Sequence, residues 1–226
     1  MNYNNIKPAK FISRPNRFIA NIEVDGQKEI CHVKNTGRCK ELLISNADIF
    51  VQEVDSKNRK TKYDLISVYK DEKLINIDSQ APNKVFYEWV EKGNFFGEIS
   101  LIKPESKYKN SRFDFYLETR DSQAFIEVKG VTLEEKGVAL FPDAPTERGV
   151  KHLSELSECL RDGYEAYVFF IIQMKDVLYF TPNSKTHQAF AEELKRAKNQ
   201  GVGVWALDCL VTETSITARD FVEIRL

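Results

Sequence analysis

The segment from Ser111 to Gly130 constrains the fold more than any other stretch of the chain. It reads Ser-Arg-Phe-Asp-Phe-Tyr-Leu-Glu, then a polar Thr119-Arg-Asp-Ser122, then Gln-Ala-Phe-Ile-Glu-Val-Lys-Gly. A hairpin with a two- or four-residue loop centred between Arg120 and Asp121 pairs Asp114 with Glu127, Phe113 with Val128, Phe115 with Ile126 and Leu117 with Ala124. Side chains alternate with a period of two along a strand. This register therefore predicts Phe113, Phe115, Leu117, Ala124, Ile126 and Val128 on one face and Asp114, Glu127 and Lys129 on the other. A one-residue slip would exchange the faces and lose the match.

Opposed like charges destabilise a sheet, and a divalent cation between them reverses the sign of that interaction. Mg²⁺, or Mn²⁺ in its place, is held by one or two protein carboxylates and completes its shell with water and substrate phosphate oxygens. Asp114 and Glu127 are the candidate metal ligands, with the Val128 carbonyl as a further one. Lys129, two residues beyond Glu127, is placed to polarise an attacking water or to stabilise charge developing on a phosphate. The bare pattern acid-x-Lys recurs, for instance at Asp71 and Glu193. Only the Glu127 copy lies in an apolar strand opposite a matching Asp. The plain alternative is a solvated hairpin face with a Glu–Lys pair, worth little energetically.

The chain around this hairpin has 226 residues, with 33 Lys and Arg against 34 Asp and Glu. That balance excludes a globally basic coat and an acidic tail. The longest apolar run, Ala166 to Ile172, falls far short of the ~20 residues that span a bilayer. Met1 to Lys10 has no apolar signal core, and the four cysteines are scattered without a CxxC. A cytoplasmic location with reduced thiols and no membrane contact is expected. Cys31, His32 and Cys39 lack the ligand spacing of a zinc site. Charge is uneven, however. Residues 1–40 carry eight positive and three negative side chains, either a solvated face or a surface for a polyanion.

Periodicity divides the chain in two. Phe18 to Val24 and Glu29 to Val33 flank Asp25-Gly26, a strong hairpin signal, and Asp48 to Val54 and Leu65 to Tyr69 read as further strands. Short strands at this spacing predict a small barrel or curled sheet over residues 1–78. Residues 79–226 alternate strands and helices: a helix over Ala81 to Lys92, the strand pair, a helix from Glu147 to Asp162, a buried strand from Ala166 to Met174, a helix over Thr186 to Asn199 and a strand through Val202 to Val211. That order predicts an α/β domain with a mixed sheet.

Asp114, Glu127 and Lys129 together resemble the PD-(D/E)xK nuclease superfamily, with Phe113 where a proline usually stands. The resemblance implies an acid on the preceding helix, and Glu88, flanking the apolar stripe, is the candidate. More widely, the chain resembles the sugar fermentation stimulation protein family. The resemblance is carried by Arg14-Pro-Asn-Arg17-Phe18-Ile-Ala20, His32-Val-Lys-Asn35-Thr36-Gly37-Arg38, Ser111-Arg-Phe-Asp114, Glu127-Val-Lys129-Gly-Val-Thr132 and Phe141-Pro-Asp143 through Leu156. It implies an N-terminal OB-like barrel, a C-terminal nuclease-like domain, DNA binding and a link to sugar-utilisation genes. OB barrels hold single strands through a basic groove and stacking aromatics. Arg14, Arg17, Lys34 and Arg38 with Phe18 fit that description. Asn35 and Thr36 would add donors for phosphate or sugar, unless Asn35-Thr36-Gly37 is only a turn.

Arg148, His152 and Glu155 fall on one helical face, and with Asp143 the first two are expected to line a cleft and grip a phosphate. The function expected is a DNA-binding protein, with single strands or RNA as further options, carrying a Mg²⁺-dependent phosphodiesterase site. The alternatives are a silent DNA-binding regulator on a nuclease-like fold and an oligosaccharide-binding module. The oligomeric state is left open, a dimer among the options.

Overall fold

A computed structural model describes residues 1–35, 37–55, 59–93 and 95–226. The first half forms β1 (Ile6–Asn16), β2 (Ile19–Val24), β3 (Gln27–Val33), β4 (Asp48–Glu53), β5 (Tyr63–Lys70) and β6 (Lys73–Asn76). Their order is β3-β2-β1-β4-β5-β6, and β3 also pairs in parallel with β5, Cys31 opposite Tyr63. That last ladder closes β1 to β5 into a five-stranded barrel, the OB arrangement. Asp25 and Gly26 both take positive φ, 52° and 75°, as a two-residue turn matched to strand twist requires. On β3, Cys31 and Val33 point into the barrel while Ile30 and His32 face outward. β1 carries no clean alternation and includes Pro8 and Pro15; it was not expected from the sequence, yet it lies at the centre of the barrel between β2 and β4.

The second half comprises α1 (Ala81–Lys92), β7 (Ile99–Tyr108), β8 (Ser111–Thr119), β9 (Gln123–Val131), β10 (Leu133–Glu135), β11 (Val138–Phe141), α2 (Glu147–Arg161), β12 (Glu165–Ile172), β13 (Tyr179–Pro182), α3 (Gln188–Asn199), β14 (Gly203–Val211) and β15 (Ile216–Phe221). Six of these strands form a mixed sheet of order β15-β14-β12-β9-β8-β7, parallel through β9, β12 and β14. A smaller sheet joins β10, β11 and β13. Helix α1 covers one face of the mixed sheet: Phe86 is fully buried, its ring 5.2 Å from Phe115 and 4.8 Å from Phe169. Helices α2 and α3 pack together on the other face, burying Leu153, Leu156, Phe190 and Leu194. Thr146 caps α2, its hydroxyl accepting from the Gly149 N–H at 3.0 Å, which satisfies one of the free donors at a helix start. Among the described residues no helix is long and apolar enough to cross a membrane.

Polar contacts join the halves. Gln173, beyond β12, donates to Asn76 Oδ1 at 2.9 Å and to the Asp78 carbonyl at 3.0 Å. Lys70 of β5 reaches Glu134 of β10 at 2.8 Å. The Arg38 N–H donates to Asp143 Oδ2 at 3.0 Å. The loop after β3 is therefore held against the segment that leads into α2.

Candidate metal and phosphate site

Strands β8 and β9 pair in the expected register, Phe115 opposite Ile126, Leu117 opposite Ala124 and Glu118 opposite Gln123. The expected sorting of faces fails at Phe113 and at Asp114. Phe115, Leu117, Ala124, Ile126 and Val128 pack beneath α1, but Phe113 lies on the opposite face with Phe125, Tyr108 and His152. The reason is Asp114. Its carboxylate displaces a main-chain acceptor: Oδ2 accepts from the Val128 N–H at 2.8 Å, and the main-chain pairing of β8 and β9 ends at Phe115. Asp114 is thus drawn between the two strands, bonded to the residue that separates Glu127 from Lys129. Its other oxygen, Oδ1, accepts from Asn83 Nδ2 at 2.9 Å.

Glu127 points to the opposite face, toward α2. Its Oε1 receives Lys129 Nζ at 2.5 Å and His152 Nδ1 at 2.6 Å. Its Oε2 is buried and has no partner among the described residues. Burial drives Glu127 toward the neutral acid, but the hydrogen bond from His152 and the charge of Lys129 outweigh it and hold the carboxyl below its usual range. Asp114 moves the other way. Burial raises it first and the charge of Glu127 second, against the donors from Val128 and Asn83. The half-buried Asp114 thus feels the negative charge of the buried Glu127, and among the described residues one oxygen of the pair lacks a donor.

Such a donor set fits a hard divalent cation. A cation would neutralise the repulsion felt by Asp114 and occupy the unpartnered oxygen of Glu127, leaving further positions for water and phosphate oxygens. Among the described residues no group of three or more His, Cys, Asp or Glu is arranged to hold a metal, so protein ligands alone would supply only part of the shell.

The remaining expected site residues separate into distinct roles. Glu88 borders the same cavity as Asp114, a space of about 520 Å³ also lined by Asn83, Tyr87 and Phe115. Its carboxylate, however, accepts from the Met1 ammonium at 2.5 Å, and α1 reaches Asp114 through Asn83 instead. His152 is buried against Glu127, not open to a phosphate, and Arg148 donates from Nε to His152 Nε2 at 3.3 Å while staying exposed. Glu155, on the same side of α2, pairs with Lys151 at 3.7 Å. Asp143 holds the Arg38 N–H.

On the barrel, Arg14 donates to four main-chain carbonyls, those of Arg17, Asn35, Gly37 and Arg38, at 2.6 to 2.9 Å. Lys34 bridges two buried carboxylates, Asp64 at 3.4 Å and Asp78 at 3.3 Å. These two cations hold the loop in place, so their expected phosphate contacts are replaced by internal ones. Asn35 turns its Oδ1 onto the Gly37 N–H at 2.7 Å, the Asx-turn alternative. Thr36 lies outside the described residues. Arg17 and Arg38 are exposed, and Arg17 stands over the Phe18 ring, 4.8 Å from its centre, with the ring itself 44% exposed. Arg17, Phe18 and Arg38 thus face solvent at the rim of the loop that Asp143 holds.

A closed OB barrel followed by a mixed-sheet α/β domain, with an acid and a Glu-x-Lys strand at its heart, defines a two-domain architecture. Residues 12–77 match the family model described as the SfsA N-terminal OB domain, and residues 80–215 match the sugar fermentation stimulation protein RE domain. The chain belongs to the sugar fermentation stimulation protein family. A sugar fermentation stimulation protein homolog of Desulfitobacterium hafniense (strain DSM 10664 / DCB-2) is 66% identical over 226 residues, covering 100% of this chain and 99% of its relative. The homolog of Clostridium beijerinckii is 61% identical over the full length of both. A solved structure described as "The structure of Pyrococcus Furiosus SfsA in complex with Ca2+" superposes with a TM-score of 0.91 at 29% identity, covering 100% of this chain and 98% of the other.

Proposed function

We propose that this protein binds nucleic acid through the rim of its OB barrel and hydrolyses phosphodiesters at a divalent-cation site built on Asp114 and Glu127. The observation that supports the reading is a half-buried Asp114, bonded to the main chain between Glu127 and Lys129, beside a buried Glu127 whose Oε2 has no partner among the described residues. The Ca²⁺ named for the Pyrococcus furiosus relative supports a divalent cation in the family. When bound, Mg²⁺ or Mn²⁺ would supply Lewis-acid stabilisation of charge on the phosphate oxygens. Asp114 and Glu127 would hold it. Lys129, its ammonium on Glu127 and its side chain 16% exposed, would orient the water whose oxygen attacks phosphorus as the opposite P–O bond breaks. Glu88 borders the same space and would serve as an outer carboxylate once released from Met1. The four buried, unpaired cysteines are consistent with a reducing cytoplasmic setting.

The test is direct. The protein is incubated with single- and double-stranded DNA and with RNA, with Mg²⁺ or Mn²⁺, beside Glu127→Ala. Cation-dependent cleavage that the variant loses is expected. Salt-sensitive binding without cleavage under any condition would replace the enzyme by a DNA-binding regulator. No binding to any polyanion would reject the nucleic-acid reading altogether.

A further inference from the structure

We infer that His152 is a positioning residue that turns the free oxygen of Glu127 toward a divalent cation. The inference rests on the cation site proposed above. His152 is buried, 4% exposed, on α2, and its ring meets Phe113 edge-on at 5.8 Å. The guanidinium of Arg148 has donors only, so its 3.3 Å contact identifies His152 Nε2 as the acceptor. A neutral imidazole that accepts at Nε2 carries its proton on Nδ1. That proton faces Glu127 Oε1 at 2.6 Å.

The consequence lies in how the two oxygens of Glu127 are treated. Both His152 and Lys129 converge on Oε1, while Oε2 is buried and has no partner among the described residues. A histidine serving only to neutralise a buried acid would leave no reason for the second oxygen to stay bare, since a buried acceptor without a partner is costly. Saturating one oxygen and sparing the other is what a ligand carboxylate needs, because the saturated oxygen fixes the torsion and the spared one keeps its lone pairs. Outer hydrogen bonds of this kind orient metal ligands. Asn83 acts similarly on Asp114 from α1. Each carboxylate is thus held by a side chain from a helix on a different face of the sheet.

Two variants of like polarity separate positioning from simple packing. An asparagine amide reaches about where Nδ1 sits, and a glutamine amide about where Nε2 sits. His152→Asn therefore keeps the bond to Glu127, and His152→Gln keeps only the contact with Arg148. Mn²⁺ alone is titrated into the full chain and followed by electron paramagnetic resonance, beside wild type and Glu127→Ala. His152→Asn should bind nearly as tightly as wild type, and His152→Gln about 10- to 100-fold more weakly. Equal affinity for wild type and His152→Gln, or equal weakness of both variants, overturns the positioning role while leaving the cation site standing. A wild type that binds no Mn²⁺ sensitive to Glu127→Ala overturns the cation site and this inference with it. If His152→Gln fails to fold, ¹⁵N spectra of the wild type decide. A proton on Nδ1 whose resonance moves on adding Mg²⁺ is expected, and a proton on Nε2, or no movement once Mg²⁺ is bound, overturns the role.

Discussion

Arg14 shows how far a residue type underdetermines a role. As a basic side chain in a basic segment it is a natural phosphate ligand, yet its guanidinium is spent on four carbonyls of the loop that follows β3. Hydrogen bonds from a charged group to otherwise unsatisfied carbonyls contribute more than neutral ones. Arg14→Ala should lower the unfolding free energy by about 1–3 kcal/mol, read as a fall in the urea midpoint. Lys34 follows the same logic, held by Asp64 and Asp78, which lie 30 and 44 positions away in the sequence. No local signal could have named those partners. Nor could it have paired His152 with Glu127, 25 positions apart, or Asn83 with Asp114, 31 apart.

Elements were more legible than partners. The helix over Ala81–Lys92 and the one beginning at Glu147 stand where their apolar stripes and the Thr146 cap put them, because a helix announces itself within a few turns. Phe86→Ala should destabilise the protein by about 3–5 kcal/mol, since its ring fills the space between Phe115 and Phe169; calorimetric unfolding would check it. The removal of the Thr146 cap is a milder case. Thr146→Ala should cost about 1 kcal/mol, visible in the same measurement. Short or irregular strands were invisible beforehand: β1 with its two prolines, the three-residue β10 and the edge strand β15. Their extended conformation is selected by neighbours more than by local pattern. Within the hairpin, register was readable but the side of Phe113 was not, because Asp114 withdraws its carboxylate to cap Val128.

At the scale of the whole molecule, the two halves are joined by pairs that respond to pH. Burial raises the Glu134 carboxyl, but the hydrogen bond to Lys70 and the Gly137 N–H outweigh burial and lower it overall. A group with a folded pKa below its unfolded value of about 4.3 stabilises fully above that value and stops doing so as pH falls through the folded pKa. The stability difference between wild type and Glu134→Gln should therefore be largest near neutral pH and vanish in acid; urea titrations across that range would show it. A difference that grows in acid would refute the assignment. The polyanion surface proposed above lies at the rim of the loop that Asp143 holds. Arg17→Ala together with Arg38→Ala should leave the melting temperature unchanged, weaken DNA binding and reduce the slope of log affinity against log salt by about two. An unchanged slope would move the binding face elsewhere on the molecule.

The sequence by itself determined the division into barrel and α/β domain, the helices with clear stripes, and the register of β8 on β9 from Phe115 to Glu118. Each of these depends on periodicity or turn chemistry within a few residues of chain. Only the tertiary structure decided which charges remain free. Arg14 and Lys34 are consumed internally, Arg17 and Arg38 are left at the surface, and among the described residues Glu127 keeps one oxygen bare while His152 and Lys129 share the other. A side chain's type fixes what it can bind, but the partner it finds depends on which distant segments the fold brings within a few ångströms of it.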